Sequence, residues 1–348
     1  MSDPRPDHAP AATPFAARLL SVALLVLVAL LTWRLSGLLM LLFAGIVLAV
    51  GLRALSEGVR RVLPVSERWA GVITVLLLAL VLGLLGRLLG GLLLQQFTEL
   101  ESRLPAAWEA VLAWLQQHPA GRRMLELTQQ AFADGLPWGR MVGFARGAVF
   151  ALGNLLLILV LAVYLALAPG LYVRGTLRLL PVPYREDCGA ALDAAGRGLR
   201  QWLLGQLISM VFVGLATTVV LWSLGVPLAT VAGLISGLLA FVPFFGAFAG
   251  GLLAVLLGFM EGPQVALWVA LLCILIQQVE GNLLMPLVQR WAVSLPPVLG
   301  ILASVLFGLL FGIIGVLFAT PLMVVTMILV RELYVRRFLE QEARSGLA

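Results

Sequence analysis

Eight stretches of this chain, 18–33, 37–52, 70–94, 147–168, 202–224, 226–259, 264–276 and 297–330, are almost wholly apolar. Most approach or exceed the roughly 20 residues that carry an α-helix across a hydrocarbon core. In lipid every backbone N–H and C=O must find its partner within the protein, which leaves helices and closed barrels. A barrel strand would alternate apolar and polar positions over about ten residues, and these runs do not alternate. The pattern predicts an all-α polytopic membrane protein with about 6–8 membrane segments. Charge agrees, because 11% of the residues are charged against the roughly 25% of a soluble domain. The second run follows the first with no small-residue cleavage site between them, so the first is read as a retained span behind a disordered tail over 1–17.

All 23 basic residues are Arg. A phosphate-binding loop of the Walker type needs a Lys, so ATP-driven pumping within this chain is excluded. The two cysteines, Cys188 and Cys273, and the two histidines, His8 and His118, have no ligand or disulfide spacing, so no metal site and no cofactor is predicted. Ser236, in "GLISG", lacks a His or Asp partner in any apolar run, so no catalytic residue is assigned. The net charge of +6 does not indicate nucleic acid here, because the arginines sit in short loops beside the spans, where they report orientation.

Arg53, Arg60, Arg61 and Arg68 follow the second run; Arg174, Arg178, Arg185, Arg197 and Arg200 fill 169–201; Arg331, Arg336, Arg337 and Arg344 follow the last run. The positive-inside rule puts all three groups, and both termini, in the cytoplasm. The predicted organisation is a tail (1–17), N-terminal spans (18–94), an external segment (95–140), a span with a basic cytoplasmic loop (141–201), a core region (202–333) and a second tail (334–348). In the external segment Phe97, Leu100, Leu104, Trp108, Val111 and Leu115 recur on one helical face. Two readings stay open for that short amphipathic helix: it lies on the outer leaflet, or it contacts another subunit. Arg87 is close enough to the outer end of its run to snorkel, and Asn154 is read as helix-to-helix glue.

Runs 226–259 and 297–330 would each be about 50 Å long as single helices, against a core of about 30 Å. Breakers interrupt both: Pro243 and Gly246 in one, Gly308, Gly312 and Gly315 in the other. Each is therefore expected to be a broken-helix hairpin, which also leaves Arg290 cytoplasmic; the alternative is a pair of bent single crossings. Between them lies "IQQVEGNLLMP", 276–286. Helical spacing sets Gln277 with Glu280, and Gln278 with Asn282, in two neighbouring polar rows. Ionisable groups at membrane depth mark ion, proton or substrate paths, whereas the same residues at the end of a span would need no such role.

Gly225-Val226-Pro227, Pro243-Phe244-Phe245-Gly246 with Gly250, Gln278 through Pro286, and Gly308 through Gly315 with Ala319-Thr320-Pro321 together resemble the autoinducer-2 exporter family, in order and in spacing. This chain departs from that pattern at Leu295-Pro296-Pro297, where many relatives have His-Pro, and at Phe244-Phe245. The resemblance implies an inner-membrane transporter, assembled as a homo-oligomer (a pentamer, by the family), that exports autoinducer-2 or another small polar metabolite. Some similar proteins are sodium/proton antiporters, so coupling to H+ or Na+ stays open, as does a non-transporting scaffold. In the transporter reading Gln277, Gln278, Asn282, Gln201 and Gln206 supply hydrogen bonds to solute, and Glu280 couples or orients, opposed by Arg200 if that residue is near. Pro243, Gly246, Gly250, Gly308, Gly312, Gly315 and Pro321 form the gates, and the lipid bilayer is the remaining partner.

Overall fold

The computed structural model describes residues 22–23, 27, 30, 34–119, 121–123, 125, 138–243, 245–289 and 296–339. The expectations for the tail 1–17, most of the first run, Arg290, Phe244, Leu295 and Arg344 lie outside these residues. The described chain is helical, and it contains no strand. Its helices are α1 (Ser36–Val62), α2 (Glu67–Gln117), α3 (Trp138–Leu167), α4 (Pro169–Arg178), α5 (Arg185–Ser223), α6 (Ala229–Leu239), α7 (Phe245–Met260), α8 (Pro263–Val279), α9 (Met285–Gln289) and α10 (Pro297–Val330). Five helices among them are long and apolar enough to cross a membrane, or six if α3 and α4, bent by 86° at Ala168, count as one broken span. Start signals are visible in the sequence: Pro169, Pro263 and Pro297 occupy first helical turns, where a missing N–H costs no hydrogen bond. Glu186 and Asp187 open α5, where acids complement the helix dipole.

Two ends of the bundle can be told apart by side-chain contacts. At one end Arg53 bonds Glu67 at 2.7 Å and Arg200 bonds Glu57 at 2.5 Å, joining α1 to the start of α2 and to the middle of α5. At the other end Leu100 of α2, Leu221 of α5, Val226 and Leu257 share one buried cluster, and Trp114 lies 5.8 Å from Phe259.

The structure adds detail to two parts of the expected organisation. The segment expected to be external and separate from 95 onward is the continuation of α2, a single helix of 51 residues, or about 76 Å. Its apolar face packs on this chain's own α6 and α7 through Leu93, Leu100 and Leu104, while Phe97 on the same face is 41% exposed. The basic loop expected over 169–201 is helix α4, a short turn and the first four turns of α5. Arg185 closes the turn by donating to the Leu180 carbonyl at 3.0 Å and the Arg178 carbonyl at 3.2 Å.

The run 226–259 is broken between α6 and α7. These helices have 11 and 16 residues, about 16 and 24 Å, so neither spans the core comfortably alone. They lie against each other: Gly250 has room for no side chain because Ser236 is there, and Ser236 Oγ donates to the Gly250 carbonyl at 3.3 Å. The pair is hinged at both ends by left-handed backbone, at Gly225 (φ 69) and Leu228 (φ 60) before it and at Gly262 (φ 120) after it.

Run 297–330 turns at Gly312 (φ 66, ψ −147), a conformation nearly confined to glycine. Past the turn the two arms close on each other: a Cβ on Gly308 would meet Val316 at 2.8 Å, and one on Gly315 would meet Phe311 at 2.8 Å. Gly308 and Gly315 are close-contact positions beside the turn, and Gly312 carries the non-helical backbone. Pro321 sits inside the second arm and is fully buried.

Candidate functional site

Polar residues inside the apolar run of α5 fall on one stripe: Gln206, Ser209 and Thr217, with Val213 between them. All four are buried, Gln206 to 2% exposure, Ser209 to 0% and Thr217 to 4%. The stripe faces the α6–α7 pair and α8, and each polar residue has a distinct position there. Gln206 Nε2 donates to the Ala240 carbonyl at 2.6 Å, fixing the tip of the pair to α5. The Ser209 hydroxyl donates to the Glu280 carboxylate. Thr217 lines a small crevice with Ser236, Cys273, Gln277 and the glycines of α7.

The polar stretch 276–286 divides between two faces. Gln277 turns into the crevice and Glu280 meets Ser209. Gln278 and Asn282 are exposed and bond to each other, Asn282 Nδ2 to Gln278 Oε1 at 2.7 Å. Pro286 explains the local shape. It has no N–H to give the Asn282 carbonyl and its ring crowds that turn, and the helix widens into a π turn over Glu280–Leu284 in which the Met285 N–H bonds the Glu280 carbonyl. Single π turns of this kind recur at functional sites.

Helix α6 lies on α5 with almost no side chain between them. Gly233 and Gly237 of α6 face Gly214 of α5, where an added Cβ on Gly237 would come 2.7 Å from the Met210 carbonyl and 3.0 Å from the Gly214 Cα. "GLISG" is thus a close-packing motif, and its Ser236 donates to the Gly250 carbonyl. The tip of the pair ends in an aromatic chain: Trp202 to Phe241 at 5.8 Å, Phe241 to Phe318 at 6.2 Å and Phe318 to Phe43 at 6.2 Å. That chain runs from α5 through the first break to the second arm of α10 and to α1.

Of the residues predicted to bind or couple, Gln277 lines this crevice, Glu280 and Gln206 bond Ser209 and the Ala240 carbonyl outside its lining, and Gln278 and Asn282 are exposed. Arg200 pairs with Glu57 on α1 and lies nine residues, about 13 Å, along α5 from Ser209. Gln201 is exposed on α5 next to it and is absent from the crevice lining. Pro243 sits in the turn at the tip, and Gly246 packs on the Leu239 carbonyl and Ala240. Gly250 lines the crevice, whereas Gly308, Gly312, Gly315 and Pro321 belong to the second turn and its arms. Arg87 and Asn154 are exposed. Ser209, Thr217 and Cys273 were not singled out by sequence as site residues; the 3–4 spacing of Gln206, Ser209 and Thr217 on one stripe of an apolar helix is the signal that would have found the first two.

The crevice has a volume of about 10 Å³, room for about one water, so the arrangement is a closed one. A larger cavity of about 80 Å³ lies at the arginine end, among Arg53, Ser56, Glu57, Arg60 and Glu67. Its charges of both signs are close enough to neutralise one another, and the Arg53–Glu67 pair does so at 2.7 Å. Among the described residues no group of three or more His, Cys, Asp or Glu is placed to hold a metal ion.

Known proteins resemble parts of this chain, from about two fifths of it to about three quarters. YueF of Bacillus subtilis (strain 168) is 32% identical over 144 residues, 41% of this chain and 39% of that protein. YrrI of the same organism is 31% identical over 143 residues, 41% of this chain and 40% of that protein. The match thus spans about two fifths of the length of each, and both are named for transport, with no substrate in either name. PerM of Escherichia coli (strain K12), named as a permease, is 26% identical over 306 residues, 74% of this chain and 76% of that protein. The model of the AI-2E family transporter matches residues 19–334, and the chain belongs to that family of membrane transporters.

Proposed function

We propose that this chain is a secondary transporter of the bacterial inner membrane that exports autoinducer-2 or a similar small polar metabolite. Both termini lie in the cytoplasm in this reading, as the arginine clusters require, and copies assemble into a homo-oligomer. The observation that carries it is the Glu280 carboxylate held by Ser209 at a π turn, beside a closed crevice whose lid is pinned by Gln206 to Ala240. An acid at that depth is costly to keep, and a transport path is the usual reason for keeping one. Broken helices meeting near such a site are also the common architecture of secondary transporters. The same carboxylate favours a second reading, exchange of sodium for protons, in which Glu280 carries the ion.

Efflux of labelled autoinducer-2 from vesicles containing the purified protein tests both, with and without a proton or sodium gradient, in wild type and Glu280→Gln. Gradient-driven movement of the signal that falls at least about tenfold in the variant is the expected result, a loss of the size seen when one essential polar contact is removed. Sodium exchanging for protons while the signal stays put selects the antiporter. Signal movement that ignores both gradient and variant defeats the assignment of Glu280.

A further inference from the structure

The crevice that this transporter reading rests on has a one-sided chemistry. Its polar groups are the hydroxyls of Thr217 and Ser236, the amide of Gln277 and the thiol of Cys273, a lining with donors, acceptors and no charge. Thr217 is 4% exposed, and it lines the crevice. Ser236 reaches only a long 3.3 Å bond to the Gly250 carbonyl. Hydroxyls so placed can exchange hydrogen bonds with a polar guest.

Charge then decides what kind. No arginine lines the crevice, the chain has no lysine, and Arg200, which lies on the same helix, is 17 residues from Thr217, about 25 Å along α5. The one ionisable oxygen group within a helical turn is acidic: Glu280 lies three residues past Gln277, and its partner Ser209 four residues before Val213. The N-terminus of α7 would attract an anion if its N–H groups were free. The first two are taken, the Phe245 N–H by the Pro243 carbonyl at 2.7 Å and the Gly246 N–H by the Val242 carbonyl at 2.8 Å. The C-terminus of α6, with the opposite partial charge, ends at the same tip.

We propose that this crevice admits small polar solutes that carry no negative charge and rejects anions, phosphate esters and carboxylates among them. An anion there would lose its hydration, find no countercharge and face the Glu280 carboxylate. A neutral or cationic solute would meet only groups able to bond it.

Cys273 lines the crevice and reports on this without any transport being measured. In the full-length Cys188→Ser variant, solubilised in detergent so that both faces are reachable, the rates of modification by neutral, cationic and anionic methanethiosulfonates are each divided by their rates with a free thiol in solution. The anionic reagent is expected to lag the cationic one by about tenfold, the scale of one charge acting over a helical turn or two in a partly shielded site. Glu280→Gln is expected to shrink that gap to about threefold or less. Equal rates for the three reagents in the parent overturn the proposal, and so does a gap that Glu280→Gln leaves unchanged. Failure of all three to react also overturns it, since the crevice would then never open. Charge selection at Cys273 in a protein that moves no solute would instead sink the transporter reading and leave this one standing.

Discussion

Gln206 gives its amide N–H to the Ala240 carbonyl, at 2.6 Å and 2% exposure. Nothing else in the tip of the α6–α7 pair is tied to α5 by a side-chain hydrogen bond among the described residues. A buried carbonyl that loses its donor costs about 1–3 kcal/mol in water-soluble proteins, but polar contacts between membrane helices average nearer 0.6 kcal/mol. Gln206→Leu is therefore expected to weaken the tip by about 1 kcal/mol, a fivefold rise in local opening. Hydrogen–deuterium exchange over 238–246 reads this directly, with 206–220 as the internal reference. Unchanged exchange at the tip would mean that glycine packing, not the amide, holds it. Ser209 and Glu280, the neighbouring pair, should show no change in the same experiment, because they join α5 to α8 rather than to the tip.

At the scale of elements, the close contacts are made by glycines whose neighbours leave no room for a Cβ. Gly237→Ala would push a methyl group to 2.7 Å from the Met210 carbonyl and 3.0 Å from the Gly214 Cα, both backbone, so α6 must move off α5 rather than a side chain turn aside. Overpacking of this kind costs about 1–3 kcal/mol, and the monodisperse fraction after solubilisation and heating is expected to fall. Gly86→Ala on α2, where nothing lies within 4 Å, is expected to leave it unchanged or slightly raised, since Ala suits a helix better by about 1 kcal/mol. Gly312→Ala belongs with the first kind for a different reason: it has open space but a backbone at φ 66 and ψ −147, and about 1–3 kcal/mol of strain follows. Equal thermal profiles for Gly312→Ala and Gly86→Ala would contradict the turn.

These same elements show what a sequence carries and what it does not. The break at Pro243 and the turn among Gly308, Gly312 and Gly315 were legible, because Pro and Gly act on their own backbone. Which of the three glycines turns was not legible, since contact glycines and turn glycines differ only in what surrounds them. The continuity of α2 past residue 94 left no mark, because a helix leaving an apolar layer keeps the same backbone hydrogen bonds and only its side chains change. The pairing of Glu280 with Ser209, 71 residues apart, required the packing of α8 on α5, which local spacing does not encode. Arg200 was drawn toward Glu280 by charge alone, when Glu57, on another helix, was the nearer acid.

Over the whole molecule, the two broken runs point in opposite directions. The α6–α7 pair opens beside Leu100, Leu221 and Trp114 and ends near Gln206, toward the arginine end. The second arm of α10 runs the other way from its turn, with Phe318 beside Phe241 and Ile328 packed with Leu199, so its last residues reach the arginine end. If that end is cytoplasmic, as the arginine rule proposes, the turn at Glu261 and Gly262 is expected outside the cell, on the same side as His118. A single crossing by 226–259 would put it inside. Glu261→Cys in the Cys188→Ser background decides between them, because Glu261 is exposed and Cys273 is 9% exposed. A membrane-impermeant maleimide is expected to label Glu261→Cys and His118→Cys on intact cells, and Leu179→Cys, 85% exposed at the end of α4, only after the cells are opened. Labelling of Glu261→Cys only after opening would make 226–259 a crossing and would place the crevice within a bent span instead of beneath a hairpin. If labelling of Leu179→Cys from outside accompanied protection of the other two, the hairpin would stand and the arginine rule would have assigned the wrong face, since all three positions would then have exchanged sides together.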